Sequence, residues 1–393
     1  MPRMHFSQRA RSLAESATMR VSRRAKELRA AGREILDLSA GEPDFSSPAV
    51  AVEAARQALA DGFTRYTVAA GIPDLREALA EHFHRRYAAP WTLPNALVTV
   101  GAKAALFQLF QVLVDSGDEV VYASPAWVSF PEQIRFAGGR PVAVATRADD
   151  GFTVHADAIL AAVTGETRMI LLNSPSNPTG GMIGEEDLRR VVAFAAQRGL
   201  LVLSDETYDR FVYDGRRHAS AAALAGEYPE TVVLVGSFSK TYAMTGWRLG
   251  YALGPAELIA KTIAVQGHAT SNPTSFAMRG ALAALKGAED DVRRMIAEFE
   301  RRRDVLVERL AALPGVSCRT PAGAFYAFPH VAGCFRDGRR GSVAFAEHLL
   351  ETAGVALVPG LEFGADDHVR LSFACSRAEI EEATDRIATV LRS

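Results

Sequence analysis

A single lysine lies within a run of hydroxyl-bearing residues and glycines, in the stretch SFSKTYAMTGWRLGY from Ser237 to Tyr251. A lysine in such a run could hold a phosphate, form a Schiff base with a carbonyl group, or face solvent. A Walker A loop places a glycine directly before its lysine, whereas Ser239 precedes Lys240 here. Covalent chemistry of the Lys240 amine, in a partly desolvated site that lowers its pKa, is therefore the better interpretation.

Polar residues follow four apolar runs that we predict to be strands. They are Gly101 to Lys103 after ALVTV, Pro175 to Gly180 after MILLNS, Asp205 to Tyr208 after LLVLS, and Ser237 to Lys240 after TVVLVG. Ligands of an open parallel sheet bind beyond the carboxyl ends of its strands. We therefore expect these four groups to form one site.

The residue types at this edge match the needs of pyridoxal 5'-phosphate. Its phosphate requires a helix N-terminus, hydroxyl groups and an arginine. The candidates for this role are Gly101, Ala102, Ser237 and Arg248. Its ring nitrogen requires a buried carboxylate to stay protonated, for which Asp205 is placed, and Asn177 and Tyr208 are candidate donors to its phenolic oxygen. Dinucleotide binding has little support, since no G-x-G-x-x-G follows a strand.

The elements that must position these residues alternate between strands and helices. This alternation predicts an α/β fold, a three-layer domain with a mostly parallel sheet buried on both faces. After about Glu289 a long charged helix precedes the strand-like pieces AFYAF, VALVP and HVRLSFA and a final helix, which is typical of a smaller α+β domain. We predict an N-terminal arm over residues 1–47 that joins the small domain, a large cofactor-binding domain over 48–290, and a C-terminal small domain over 291–393.

Composition excludes several classes of function. The 393 residues carry a formal net charge of −2, which gives no reason to expect nucleic acid as a partner. No apolar run is long enough to span a membrane. Three scattered cysteines suggest reduced thiols in a cytoplasmic protein. The Arg-rich N-terminus is read as an amphipathic helical arm, with an organellar transit peptide as the alternative, and no metal site is predicted.

Several motifs occur in a specific order: NPTG, SDETY and the pattern S-x-S-K-x-x-x-M-x-G-x-R-x-G. Together they resemble the class I/II aminotransferases of pyridoxal-phosphate fold type I, and more narrowly the bacterial aspartate aminotransferase subgroup. The resemblance extends over nearly the whole chain, from SATMRV and LSAGEPDF to PAGAFYAF and HVRLSFACS. It implies a homodimer with shared active sites.

The resemblance also implies roles for individual residues. Lys240 would form the Schiff base and move the proton, and Asp205 would pair with the ring nitrogen. Tyr208 and Asn177 would bond the phenolic oxygen. The residues implied at the phosphate are Gly101, Ala102, Lys103, Ser237, Arg248 and, from the neighbouring subunit, Tyr66. Trp127 would stack on the ring, although it could also be an ordinary core tryptophan.

Substrate roles follow from the same resemblance. Arg370 would bind the substrate α-carboxylate as a bidentate pair, beside the Gly41 backbone, and Trp127 and Asn177 would line the substrate site. Lys103 would bind the distal carboxylate of a dicarboxylic substrate, near Thr18. Alternatively, Lys103 only adds positive charge beside the cofactor phosphate.

The predicted activity is ping-pong transamination between an amino acid, with aspartate favoured, and 2-oxoglutarate. Aromatic or alanine donors and prephenate as an acceptor remain open. A β-lyase or an aminocyclopropane-forming enzyme would use the same cofactor residues. A pyridoxal-phosphate-binding regulator would need a DNA-binding module, for which the short N-terminal arm leaves no room.

Overall fold

The computed structural model describes residues 4–13, 17–336 and 340–392. Within these ranges the strands are β1 Leu36–Asp37, β2 Ala96–Thr99, β3 Glu119–Ser124, β4 Arg140–Ala145, β5 Thr167–Asn173, β6 Leu201–Asp205, β7 Val232–Ser237, β8 Gly250–Leu253, β9 Tyr326–Ala327, β10 Val355–Ala356, β11 Val358–Pro359 and β12 Val369–Ser372. The α-helices are α1 Gln8–Ser12, α2 Ala17–Ala30, α3 Ala49–Ala60, α4 Pro73–Tyr87, α5 Ala102–Leu113, α6 Ser129–Ala137, α7 Ala156–Ala161, α8 Glu185–Gln197, α9 Phe238–Thr241, α10 Ala256–Ala269, α11 Ser275–Gly287, α12 Glu289–Ala311, α13 Ser342–Thr352 and α14 Arg377–Arg392.

A seven-stranded sheet forms the centre of the molecule, in the order β2-β8-β7-β6-β5-β3-β4. β8 runs antiparallel to both of its neighbours, β2 and β7. The pairs from β7 through β6, β5 and β3 to β4 are parallel. The α/β fold with a mostly parallel sheet that we predicted from the alternation of strands and helices is confirmed.

Apolar residues cover both faces of this sheet. In β6, Val202 packs with Val191 of α8 on one face, while its neighbour Leu203 packs with Leu106 of α5 on the other. Successive side chains of a strand point to opposite faces, so a strand covered on both sides is apolar throughout. This burial explains the uninterrupted apolar runs of the sequence.

Smaller sheets join the two ends of the chain. β1 pairs in parallel with β10, and β11, β12 and β9 form an antiparallel sheet. The strand-like piece VALVP contains two short strands, because Leu357 separates β10 from β11 and each belongs to a different sheet. In the N-terminal arm, Ala25 and Leu28 of α2 pack against Leu350 and Ala356.

One aromatic cluster connects the sheet to the C-terminal segment. Tyr208, Phe211 and Tyr213, which follow β6, share a buried cluster with Phe299 of α12 and Phe325. The loop after β6 is therefore held by side chains from the far end of the sequence. The domain boundaries at residues 47/48 and 290/291 stay a prediction. None of the helices in the ranges given above combines the length and apolarity needed to cross a membrane.

Candidate active site

A cavity of about 310 Å³ opens beyond the carboxyl ends of the parallel strands. Its walls include most of the residues named from the sequence. These are Gly41, Ala102, Lys103, Trp127, Asn177, Asp205, Tyr208, Ser237, Lys240, Arg248 and Arg370. Residues more than 300 positions apart in the chain therefore meet in one cavity.

Lys240 lies on the short helix α9, directly after β7. The Ser237 hydroxyl caps this helix by accepting a hydrogen bond from the Ser239 amide at 3.0 Å. The Lys240 ammonium donates to the Gly41 carbonyl at 2.5 Å. Burial lowers the pKa of Lys240 to about 8. The negative charge of Glu42 opposes this shift, whereas the positive charges of Arg248, Arg370 and Lys103 add to it. A substantial share of this amine is therefore uncharged, and nucleophilic, in mildly alkaline solution.

Asp205 is the last residue of β6 and is buried at the cavity floor. Its carboxylate accepts a hydrogen bond from the Thr207 amide at 3.1 Å. Burial, aided by Glu206, raises the pKa of Asp205 to about 6. A carboxylate at this depth is costly unless a cationic group pairs with it.

The N-terminus of α5 forms another wall of the cavity. Gly101 precedes the helix with a φ of +82°, and a β-carbon there would lie 2.6 Å from Nη2 of Arg248. The glycine therefore allows the arginine to lie against the first turn of the helix. The free amides of that turn and a guanidinium together favour a phosphate group.

Arg370 of β12 is buried and also lines the cavity. It donates to the Asn177 side-chain oxygen at 3.0 Å and to the Ser39 carbonyl at 2.9 Å. Its guanidinium lies 4.4 Å from the centre of the Tyr326 ring. Its Nε has no hydrogen-bond partner among the described residues. A buried donor in this state is suited to an anionic ligand such as a carboxylate.

Tyr208 and Tyr326 are hydrogen-bonded to each other through their hydroxyl groups, 2.8 Å apart. Tyr326 belongs to β9 and lies in the cavity wall, but sequence reasoning gave it no role. Tyr326 is part of the motif PAGAFYAF, which contributed to the family resemblance, but no role was assigned to its tyrosine. The cavity residues Asn173, Thr207 and Ser239 were given no individual role, although Thr207 and Ser239 lie inside predicted site segments and Asn173 lies shortly before one.

Lys103 extends from the first turn of α5 over Trp127, with Nζ 4.8 Å from the centre of the ring. The residue is exposed at the mouth of the cavity. Partial desolvation of its amine, and then the charge of Arg248, lowers the pKa of Lys103. The half-buried Trp127 ring faces the cavity and is not an ordinary core residue.

Gly101, which directly precedes the lining residue Ala102, and Tyr66 are not among the described residues that line the cavity. Tyr66 is 90% exposed and does not line the cavity of its own chain. Thr18 falls in α2, but its side chain is outside the described part of the structure, so its role stays a prediction.

The fold brings a lysine, a buried carboxylate and a buried arginine together in one cavity at the carboxyl edge of an α/β sheet. The family model "Aminotransferase class I and II" matches residues 33–387. The chain belongs to this family and is an aminotransferase.

Several individual proteins are similar to this chain over nearly its whole length. The chain is 42% identical over 390 residues to the aspartate aminotransferase of Geobacillus stearothermophilus, covering 98% of each chain. It is 43% identical over 389 residues to the aspartate/prephenate aminotransferase of Thermus thermophilus, again covering 98% of each. A solved structure of Thermus thermophilus aspartate aminotransferase with maleate matches with a TM-score of 0.94 at 42% identity, covering 98% of this chain and 100% of that one. Recognition of an aminotransferase from the sequence motifs is confirmed.

Proposed function

We propose that this protein catalyses transamination between aspartate and 2-oxoglutarate with pyridoxal 5'-phosphate as its cofactor, in ping-pong order. The observation that carries the proposal is the arrangement of Lys240, Asp205 and Arg370 around one cavity. An amine of lowered pKa, a buried carboxylate and an incompletely paired guanidinium are the groups that such a reaction needs.

The residues of the cavity suit the cofactor in charge and shape. The amides that open α5, the Ser237 hydroxyl and Arg248 would hold its phosphate. Asp205 would accept a hydrogen bond from its protonated ring nitrogen, and the Trp127 ring would stack on it. When bound, pyridoxal phosphate supplies an electron sink that makes the Cα–H bond of an amino acid acidic.

Lys240 holds the central position in this proposal. Its amine would link the cofactor covalently and, once released by substrate, would carry a proton from the substrate Cα to C4′ of the cofactor. The lowered pKa allows it to accept that proton near neutral pH. Asp205 would keep the ring nitrogen protonated, and Tyr208 would donate a hydrogen bond to the phenolic oxygen.

Arg370 would bind the α-carboxylate that all amino acid and 2-oxo acid substrates share. The side-chain oxygen of Asn177 and the backbone carbonyl of Ser39 orient the guanidinium by accepting hydrogen bonds from it. Two nitrogens held in this way present a planar pair of donors to a carboxylate. This contact would account for recognition of α-amino acids in general, but it would not discriminate among them.

Lys103 is the candidate for that discrimination. Its ammonium lies at the cavity mouth over Trp127, where a second carboxylate of a dicarboxylic substrate could reach it. Two relatives are named for aspartate, one of them also for prephenate, and a solved relative contains the dicarboxylate maleate. We propose aspartate as the preferred donor, with prephenate as a further acceptor.

Lys103→Met is expected to lower kcat/KM for aspartate about 10- to 100-fold, the range of a hydrogen bond to a charged group. Alanine has no distal carboxylate, so its kcat/KM should stay within about twofold of the wild type. Steady-state kinetics with both donors and 2-oxoglutarate measure this. Lys261→Met, on the exposed surface of α10, is the matched control.

Equal losses for aspartate and alanine would instead place Lys103 at the cofactor phosphate. A wild type that prefers aromatic or neutral donors would refute the aspartate assignment. Release of an oxo acid without added 2-oxoglutarate, beyond one turnover per site, would show β-lyase chemistry.

Gly101→Ala should weaken cofactor binding about tenfold or more, because the new β-carbon would displace Arg248 and the positive φ would be strained. Titration of cofactor-free protein with pyridoxal phosphate, followed by its absorbance, measures the change. Gly117→Ala has a similar strain at a φ of +98° in a remote loop with open space, and is the control. Equal affinities of Gly101→Ala and the control would contradict this placement of the phosphate.

We also propose a cytoplasmic homodimer in which Tyr66 reaches the phosphate of the neighbouring subunit. Tyr66 and Val68 are exposed on one loop, and Val50, Val52 and Leu59 of α3 are exposed as well. Apolar groups in this number favour a protein contact. The cysteines Cys318, Cys334 and Cys375 are all unpaired, which supports a reducing location.

A further inference from the structure

Residues 39–45 form a segment, the 39–45 segment, that contacts both the Arg370 guanidinium and the Lys240 ammonium in the cavity. The Ser39 carbonyl accepts a hydrogen bond from Arg370 at 2.9 Å, and the Gly41 carbonyl accepts one from the Lys240 ammonium at 2.5 Å. The position of this backbone therefore determines where two substrate-facing groups lie.

The far end of the segment is held by α12. Nη1 of Arg302 donates to both carboxylate oxygens of Asp44, at 2.8 and 2.9 Å, and its Nε donates to Glu298 at 2.9 Å. The guanidinium carbon also lies 5.3 Å from the centre of the Phe45 ring and 5.5 Å from that of Phe299. The Arg302 side chain is 10% exposed, so these contacts are largely protected from solvent.

We propose that Arg302 is a positioning residue for the active site. It does not line the cavity. It contacts Asp44 and Phe45. Through the 39–45 segment it fixes the positions of the Ser39 and Gly41 carbonyls, which accept hydrogen bonds from Arg370 and Lys240. The inference rests on the proposed function, since it concerns groups assigned to the substrate α-carboxylate and to proton transfer.

The geometry explains why an arginine is required at this position. Its planar guanidinium can donate from Nη1 to Asp44 and from Nε to Glu298 while its face lies over the Phe45 ring. A lysine keeps the charge but has neither the separate donor nitrogens nor the flat face. Arg302→Lys should therefore preserve the ion pair in a looser form and let the 39–45 segment shift.

The expected result of Arg302→Lys is a fall in kcat/KM of about 10- to 100-fold, as for a small misplacement of catalytic groups. The fall should be equal for aspartate and alanine, because the α-carboxylate and the proton transfer are common to both. Cofactor affinity should stay within about twofold, since Gly101, Ser237 and Arg248 make no hydrogen bond to this segment among the described residues. Arg301→Lys is the matched control, because Arg301 is also bonded to Glu298 but its side chain is 70% exposed.

A second variant distinguishes loss of the Arg302–Asp44 contact from misfolding of Arg302→Lys. Asp44→Asn should give the same equal loss, and the double variant should be no worse than either single variant, because both act through one contact. Unfolding of the cofactor-free proteins in urea gives a readout independent of activity, and the same pair should show coupling there.

Three results would overturn the proposal: kcat/KM within twofold of the wild type despite lowered stability, a loss confined to aspartate, or loss of cofactor binding in both variants. The first would leave Arg302 a purely structural residue. A wild type that prefers another amino acid would refute the aspartate assignment but not this inference, because the ratio of variant to wild type can be measured with any α-amino acid donor.

Discussion

Lys240→Ala should lower transamination by about 10⁴-fold or more, because it removes both the covalent attachment and the proton carrier. The loss should be accompanied by loss of the pH-dependent visible absorbance of the bound cofactor. Borohydride treatment should attach the cofactor irreversibly to the wild type and not to the variant. Stopped assays with aspartate, absorbance spectra and mass spectrometry of the reduced proteins measure these effects.

Lys240→Arg separates the charge of the side chain from its chemistry. Arginine keeps a cation near the Gly41 carbonyl but cannot lose its proton or form the bond. It should therefore be as inactive as Lys240→Ala. A borohydride-stable attachment of the cofactor to Lys240→Ala would show that another amine carries it.

Asp205→Asn should lower kcat by about 10²- to 10³-fold while the cofactor still binds. Asparagine occupies nearly the same volume, but it cannot hold a proton on the ring nitrogen by charge. The electron sink is then weakened, although the phosphate contacts are unchanged. Single-turnover kinetics with a saturating donor measure the chemical step.

The same substitution should stabilise the cofactor-free protein. Burial raises the pKa of Asp205 from 3.8 to about 6. The folded state therefore binds more protons than the unfolded chain between these pH values, and the free energy of unfolding falls as the pH rises through that window. Above pH 6 the buried charge lowers the free energy of unfolding by roughly 3 kcal/mol, and an uncharged asparagine avoids this loss.

Urea unfolding of the wild type and Asp205→Asn at pH 5 and pH 8 checks this effect. The increase in the free energy of unfolding caused by Asp205→Asn should be larger at pH 8 than at pH 5. It should shrink when pyridoxal phosphate is added, because the ring nitrogen of the cofactor offsets the buried charge of Asp205, which only the wild type has. Asp118→Asn, on the loop before β3, is the control. Near-normal turnover of Asp205→Asn would show that this carboxylate does not face the ring.

The residues that follow the strands could be assigned to one site from the sequence. Lys240 comes three residues after the last residue of β7, and Asp205 ends β6. Parallel strands bring their carboxyl ends to one edge, so the position of a residue at a strand end already determines its neighbourhood. The same argument made Asn177 and Ala102 predictable.

Contacts between distant segments could not be predicted in this way. The bond between Tyr208 and Tyr326 joins residues 118 positions apart, and that between Lys240 and Gly41 joins residues 199 apart. Neither partner carries a local signal of the other. The break of VALVP into two strands has the same origin, because pairing with β1 on one side and β12 on the other divides an otherwise continuous apolar run.

The sequence by itself determined the α/β fold, the family and the strand-end positions of the residues proposed for the chemistry, because apolar periodicity and short motifs report local structure. Only the tertiary structure decided how that chemistry is adjusted. It buried Asp205 and Lys240 enough to shift the pKa of each, and it left Nε of Arg370 without a partner among the described residues. Burial and hydrogen-bond geometry depend on segments that are far apart in the chain, which is why no local pattern could specify them.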